Sequence, residues 1–239
     1  MSRTNREDFS EDGLEFAFIS LISKKLKVLI LGAGEAGYIK TKAFINRGCQ
    51  VSVVAKNFEK RFNEFNQENL HIIKDSYKKT YILDKHLIII ALEDKGITDE
   101  IIEHCEELNK LYLTCWDFTQ GNFVVPIQRS TKEINFALSI KKGNPKLSKY
   151  LANSIESYLV DFNNFIAFGN ILRERVKSEG FKKEILSFIS QEDFKYYFEK
   201  GYGIQVLLMF YPTLIDFLGV EWIEYENCYK KKQVSSSSN

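Results

Sequence analysis

The chain has 239 residues, of which 44% are hydrophobic and 27% charged, a composition typical of a globular protein that buries a core without disulfides. Its 33 Lys and Arg against 32 Asp and Glu leave a net charge of +1, which disfavours a protein that holds a nucleic-acid backbone. The longest apolar runs, residues 28–31 and 87–92, are too short to cross a bilayer, and the polar N-terminus lacks a secretory pattern. We therefore expect a cytoplasmic protein with no nucleic-acid or membrane partner.

Strand-like and helical patterns alternate along the first half of the chain. Short β-like apolar runs predict six strands, at residues 14–22, 27–31, 50–55, 70–74, 87–92 and 111–115, the first of them an edge strand. Residues 35–47 predict an amphipathic helix, and residues 98–108 predict a second one with Thr98 as its N-cap. This alternation indicates an α/β fold with a mostly parallel sheet and helical crossovers.

A glycine-rich turn joins the strand at 27–31 to the helix at 35–47, with the sequence Gly32-Ala33-Gly34-Glu35-Ala36-Gly37. In a Rossmann turn the first glycine makes the tight bend, the second lets the backbone approach a pyrophosphate, and the third lets the helix lie close to the strand. Free N–H groups at the helix start then face the phosphates. The turn predicts a dinucleotide site formed by these six residues; the alternative is a tight turn that binds nothing.

The end of the strand at 50–55 bears on the choice of cofactor. An acid that bonds the adenosine ribose is expected about 20 residues after the turn, but Ala55, Lys56 and Asn57 occupy that stretch. Lys56 can attract the extra phosphate of NADP or can be an ordinary surface lysine. We predict that Ala55 and Lys56 contact the cofactor, which we take to be NAD, with NADP left open.

The pattern changes after residue 116. Residues 122–127 and 134–140 predict two strands that pair antiparallel. Pro145 suits a helix start, and four apolar residues then recur every four positions, at Leu147, Leu151, Ile155 and Leu159. Further helices are predicted at residues 162–177, 182–190, 191–200 and 203–217, whose aromatic residues we interpret as packing core, before a low-complexity tail at 235–239.

Cysteine and histidine spacing does not indicate a metal site. The four cysteines form no CxxC pair, and the three histidines are not spaced as ligands relative to them; these residues are Cys49, Cys105, Cys115, Cys228, His71, His86 and His104. We expect the cysteines to be reduced and no structural metal to be bound.

Several short motifs follow one another between about residues 14 and 160. Lys40 and Gly48 fall on the lysine and glycine of the motifs GGGxxAxxKAxxL and GAxVTVVAP. The remaining matches are residues 91–94 on AATDD, 114–117 on NVxD, 123–126 on FIxPA, and 136–147 on IAISTGGKSPAL. In this order and spacing the motifs resemble the precorrin-2 dehydrogenase family, which includes the first module of sirohaem synthases.

The resemblance implies three parts and an activity. They are a Rossmann domain at 1–115, a central β segment at 116–145 used for dimerisation, and a helical domain at 146–232, with 233–239 as a disordered tail. The family oxidises precorrin-2 to sirohydrochlorin with NAD, and some members also insert iron at the same site. The implied partners are a tetrapyrrole substrate and a second copy of the chain.

The resemblance also assigns site residues. Asp117 falls on the family's catalytic aspartate, the alternative being a turn or cap residue. Leu92 and Glu93 fall on the cofactor side. Ser139, Lys141 and Lys142 fall on the substrate side, where lysines suit a substrate with eight carboxylates but also suit a solvated loop.

Three departures from the family leave other functions open. Lys141-Lys142 replaces a Gly-Gly pair, Thr114 replaces an asparagine, and Ser130 or Thr131 replaces a basic residue, although Arg129 and Lys132 lie beside it. A non-catalytic nucleotide-sensing or tetrapyrrole-binding protein is the main alternative, and a generic oxidoreductase on the same fold is a weaker one.

Overall fold

The computed structural model describes residues 16–141 and 144–218. Its strands are β1 (Lys27–Ala33), β2 (Gln50–Phe58), β3 (Leu70–Lys74), β4 (Leu87–Ile90), β5 (Leu111–Thr114), β6 (Ile127–Ser130) and β7 (Asn135–Leu138). Its α-helices are α1 (Glu35–Ile45), α2 (Lys95–Glu107), α3 (Pro145–Val160), α4 (Asn163–Arg175), α5 (Lys182–Ile189), α6 (Glu192–Glu199) and α7 (Gly203–Phe210). Short 3-10 helices cover Ser23–Lys25, Lys60–Glu64, Lys79–Tyr81, Phe118–Gln120 and Pro212–Leu214.

The first five strands form one parallel sheet in the order β3-β2-β1-β4-β5. The central strands β1 and β4 are continuous apolar runs because both of their faces are covered. On one face, Val28 and Ile30 of β1 belong to the same cluster as Phe44 of α1. On the other face, Leu29 and Leu31 belong to the cluster that contains Ile101 of α2. The predicted α/β fold with helical crossovers is therefore confirmed.

The remaining elements form a small sheet and a group of helices. Strands β6 and β7 pair antiparallel, with Arg129 opposite Phe136. The helices that follow bury an aromatic core, in which the rings of Phe168 and Phe198 lie 4.9 Å apart and Phe194 is also buried. The prediction that the aromatic residues of these helices form packing core is confirmed for Phe181, Phe188, Phe194 and Phe198. It is wrong for Tyr196 and Tyr197, whose side chains are exposed. The structure thus has the Rossmann-type sheet, the small β segment and the helical region that the sequence predicts, in that order.

Chain contacts divide the molecule into two units, Met1–Val125 and Pro126–Asn239. The three-part division drawn from the resemblance, including the dimerisation role of the β segment, stays a prediction. The tail predicted at 233–239 lies outside the described residues. Among the residues that the structure describes, no helix is both long enough and apolar enough to span a membrane.

Two predictions in the first unit are wrong. Residues 16–22 of the predicted edge strand form no strand, because Phe18, Ile19 and Ile22 are largely exposed and bury no face against a sheet. Helix α2 begins at Lys95, and its N-cap is Asp94, whose carboxylate accepts from Ile97 N at 3.1 Å. Thr98 is instead buried within the helix.

Two further boundaries differ in the second half. The strand predicted at 122–127 is β6 at Ile127–Ser130. The side chain of Asn122 ties the preceding loop to β5 by accepting from Tyr112 N at 2.8 Å and donating to Lys110 O at 2.9 Å. The helix predicted at 203–217 ends at Phe210, because Pro212 lacks an N–H and disfavours a helical residue before it.

Candidate functional site

The predicted cofactor residues gather at one edge of the parallel sheet. Strand β1 lies between β2 and β4, so the chain runs one way from β1 to β3 and the other way from β4 to β5. The carboxyl ends of β1 and β4 therefore form a topological switch point, where open α/β sheets bind their ligands. The turn at 32–37 lies at this point.

Close contacts require glycine at both ends of the turn. Gly32 has a φ of +104°, and a Cβ there would lie 2.2 Å from the carbonyl oxygen of Ala91, which follows β4. A Cβ on Gly37 would lie 2.1 Å from the carbonyl oxygen of Gly32. These distances match the roles that the sequence assigns, a tight bend at Gly32 and close helix packing at Gly37.

Gly34 has a different environment. A Cβ on Gly34 would meet no atom of the described residues within 4 Å, so the space over the turn is open. Gly34 is the N-cap of α1, no described side chain caps that helix end, and the helical hydrogen bonds begin with Tyr38 N to Gly34 O at 2.9 Å. The N–H groups of Glu35, Ala36 and Gly37 therefore lack intrahelical acceptors and can bind a pyrophosphate.

Strand β2 continues three residues beyond its predicted end at residue 55. The register advances from Leu31 opposite Val54 to Ala33 opposite Phe58, so β2 bulges at residues 55–57. Ala55 is buried and Lys56 is exposed within this bulge.

The bulge brings an acid, Glu59, to the turn, although the local sequence pattern does not indicate it. Glu59 N donates to Ala33 O at 3.0 Å, which places this residue beside the turn at 32–37. The available signal was spacing, since Glu59 lies 22 residues after Gly37, close to the distance expected for a ribose-binding acid.

Two cofactor-side residues follow β4. Leu92 packs against the turn, because its Cδ2 atom would lie 3.2 Å from a Cβ on Gly32. Glu93 is exposed next to it. Both residues can therefore border a cofactor at the switch point, Leu92 by apolar contact and Glu93 by its carboxylate.

Asp117 follows the neighbouring strand β5 and holds a turn. Its Oδ1 atom accepts from the Thr119 hydroxyl at 2.6 Å and from Thr119 N at 3.0 Å, so it caps the 3-10 helix Phe118–Gln120. The Thr114 hydroxyl donates to the Asp117 backbone oxygen. The bonds from the Thr119 side chain and then its N–H hold the pKa of Asp117 below its usual value, because they stabilise the charged form.

A lysine on α1 influences the residues before Asp117. Burial raises the pKa of the Cys115 thiol, and the positive charge of Lys40 partly opposes that rise. Lys40 therefore contributes positive charge near the carboxyl end of β5. Among the described residues, no group of three His, Cys, Asp or Glu side chains is arranged to hold a metal ion.

The predicted substrate residues lie in the second unit. Ser139 is half-buried just after β7, and Lys141 is exposed. Lys142 lies outside the described residues. The following helix α3 begins at Pro145, as predicted, with Asn144 accepting from Leu147 N at 3.0 Å as its cap. The structure brings together the turn, Leu92 and the end of β2, while Ser139 and Lys141 belong to the second unit.

Comparison with known proteins is consistent with this geometry. Residues 19–127 match a family described as "Putative NAD(P)-binding". A "Putative precorrin-2 dehydrogenase" of Methanocaldococcus jannaschii is 25% identical over 70% of this chain and 86% of its own length. A precorrin-2 dehydrogenase of Priestia megaterium is 24% identical over 74% of this chain and 90% of its own length.

The solved structure of SirC, a precorrin-2 dehydrogenase, matches with a TM-score of 0.59 at 22% identity, covering 74% of this chain and 90% of that one. At that identity the match establishes the fold. The nucleotide-binding match and the relatives support NAD as the cofactor. Together these comparisons confirm that the chain is similar to the precorrin-2 dehydrogenases, the family that its motifs resemble.

Proposed function

We propose that this chain is an NAD-dependent precorrin-2 dehydrogenase, which removes two hydrogens from precorrin-2 to form sirohydrochlorin on the route to sirohaem or cobalamin. The observation that carries the proposal is the turn at 32–37. Its close glycine contacts, its open space over Gly34 and its free helix N–H groups suit a dinucleotide at the switch point. Similarity to two precorrin-2 dehydrogenases over most of their length supports the substrate.

The reaction divides into a hydride and a proton. The bound nicotinamide accepts the hydride, which is the difficult part of the chemistry. The protein supplies position and a proton acceptor, and we assign the latter to Asp117, at the same carboxyl edge of the sheet as the turn. With this lowered pKa the Asp117 carboxylate is ionised near neutral pH and can accept a proton. The same shift makes it a weaker base than an ordinary aspartate.

The substrate's carboxylates suit basic residues. We propose that Lys141 and Lys142 attract them and that Ser139 forms a hydrogen bond to the substrate. Lys141 is exposed, which suits contact with a large anionic ligand. We also propose that the protein is a cytoplasmic homodimer, with the two-stranded β6-β7 sheet as part of the interface.

One observation favours the non-catalytic alternative. The carboxylate of Asp117 is engaged by two bonds from Thr119, as expected for a purely capping residue. A protein in which Asp117 only caps this turn would bind NAD and tetrapyrrole without turnover.

The test is incubation of the purified chain with precorrin-2 and either NAD or NADP, followed by the absorbance of sirohydrochlorin and reduced cofactor. We expect turnover with NAD. Dinucleotide binding without turnover would refute the proposal and support the non-catalytic alternative. A separate incubation of sirohydrochlorin with ferrous or cobaltous ion tests whether the same site also inserts a metal.

A further inference from the structure

The distinction between NAD and NADP depends on which group faces the adenosine ribose. NADP carries a phosphate on the 2′-hydroxyl, whereas NAD leaves that hydroxyl free. A carboxylate near this position accepts a hydrogen bond from the hydroxyl of NAD and repels the phosphate of NADP. An unpaired cation there attracts the phosphate instead. The stretch of residues 55–57, where the acid was expected from sequence, contains none.

Glu59 takes that place in the structure. The bulge in β2 moves the strand end so that Phe58, rather than residue 55 or 56, lies opposite Ala33. The next residue, Glu59, is bonded through its N–H to the carbonyl oxygen of Ala33 inside the phosphate turn, at 3.0 Å. In a Rossmann fold the ribose-binding acid lies at this end of the second strand, beside the turn.

The neighbouring cation is already engaged by carboxylates. Arg61 Nε donates to Glu59 Oε1 at 2.6 Å, and its terminal nitrogen lies 3.6 Å from Glu35 Oε1. The guanidinium also lies over the ring of Tyr38, 4.5 Å from its centroid. Arg61 would have to leave two carboxylates and an aromatic face to bind a 2′-phosphate.

The second oxygen of the Glu59 carboxylate, Oε2, is not bonded to Arg61. Oε2 is buried and has no hydrogen-bond partner among the described residues, although the whole side chain is 34% exposed. A buried carboxylate oxygen without a donor is unfavourable, so a donor supplied by a ligand would stabilise it.

We infer that Glu59 accepts a hydrogen bond from the adenosine-ribose 2′-hydroxyl of NAD and makes the protein select NAD over NADP. This inference rests on the proposed dinucleotide site but not on the tetrapyrrole substrate. Arg61 acts as a positioning residue, because its bond to Oε1 holds the Glu59 carboxylate beside the turn. Lys56 then has no part in cofactor choice.

The test is equilibrium binding of NAD, NADP and 2′-deoxy-NAD to the full chain by calorimetry. We expect the wild type to bind NAD about tenfold more tightly than either analogue, as loss of one hydrogen bond to a charged group predicts. In Glu59→Ala, NAD and 2′-deoxy-NAD should bind equally, because the group that distinguishes them is gone. In Glu59→Gln, NADP should bind more tightly than it does to the wild type, because the repelling charge is gone.

Glu64→Gln is the matched control. It removes the same charge from the last residue of the short helix Lys60–Glu64, which Glu59 precedes, but this carboxylate accepts from the Tyr38 hydroxyl at 3.2 Å rather than from Arg61. We expect its affinities for all three ligands to equal those of the wild type. Thermal unfolding of each variant, with and without ligand, separates altered binding from altered folding.

Three results would overturn the inference. These are wild-type affinity for NADP equal to or above that for NAD, tenfold discrimination against 2′-deoxy-NAD that persists in Glu59→Ala, and absence of binding by any dinucleotide. The last result would also remove the proposed function. Selective NAD binding without turnover of precorrin-2 would remove the proposed function and leave the inference intact.

Discussion

Replacing Gly34 with alanine separates phosphate binding from folding at the turn. Gly34 has φ −80° and ψ −165°, an extended conformation that alanine adopts readily, and its added methyl group would meet no described atom within 4 Å. Alanine caps a helix less well than glycine, but it also lowers the entropy of the unfolded chain, and the two effects oppose each other. We expect the free energy of unfolding to change by less than about 1 kcal/mol.

Cofactor binding should respond much more strongly. The methyl group would occupy the space through which a pyrophosphate reaches the N–H groups at the start of α1. Losing one hydrogen bond to a charged group costs about 1.5–3 kcal/mol, so the Kd for NAD should rise roughly 10- to 150-fold. Calorimetric titration measures this change, and urea unfolding measures stability on the same samples.

Gly180→Ala provides the control, since a Cβ at Gly180 also meets no described atom within 4 Å and the residue lies between α4 and α5. It should bind NAD like the wild type. If Gly34→Ala is as stable as the wild type and binds NAD equally well, the turn at 32–37 is not the phosphate site. If it unfolds, the geometry described for the turn is wrong.

Four further predictions follow from the structure. Gly37→Ala should lower the free energy of unfolding by about 1–3 kcal/mol in urea titrations, because its Cβ would lie 2.1 Å from a carbonyl oxygen; unchanged stability would contradict that packing. Asp117→Asn should keep the cap, since asparagine also caps, but abolish turnover of precorrin-2, and an active variant would exclude Asp117 as the base. Asp94→Ala should cost about 1 kcal/mol of stability, measured by thermal unfolding, because it removes the cap of α2, whereas Asp94→Asn should not. Bonds from Lys78, Tyr81 and Ser76 N lower the pKa of Asp75 from 3.8 to about 2. The stabilising contribution of Asp75 should therefore be complete above pH 3.8 and lost as the pH falls toward 2. Asp75→Asn should remove this part of the acid dependence of unfolding, and an unchanged acid profile would show that these bonds do not persist in solution.

Local patterns in the sequence were sufficient to predict the parallel sheet and the glycine turn at residues 32–37. The strands and helices of the first unit follow from apolar runs and their spacing, and Gly32, Gly34 and Gly37 follow from the space that each must leave. Element boundaries were less predictable. The sequence pattern predicts Thr98 as the cap of α2, whereas the structure has Asp94, because both residue types suit an N-cap and only the bond from Ile97 N to the Asp94 carboxylate distinguishes them.

The candidate site required the tertiary structure at two places. The sequence predicts no acid at the end of β2, because a bulge depends on pairing between strands about 25 residues apart and leaves no local pattern. That bulge brings Glu59 to Ala33. The capping bonds on Asp117 also became visible only in three dimensions, and they lower the pKa of the group to which the resemblance assigns the chemistry.

The sequence by itself determined the alternation of strands and helices from β1 to β5 and the glycine turn that joins β1 to α1, since both depend on neighbours within a few positions of the chain. Only the tertiary structure decided which carboxylate lies beside that turn and which hydrogen bonds the Asp117 carboxylate accepts, because both depend on contacts that folding creates.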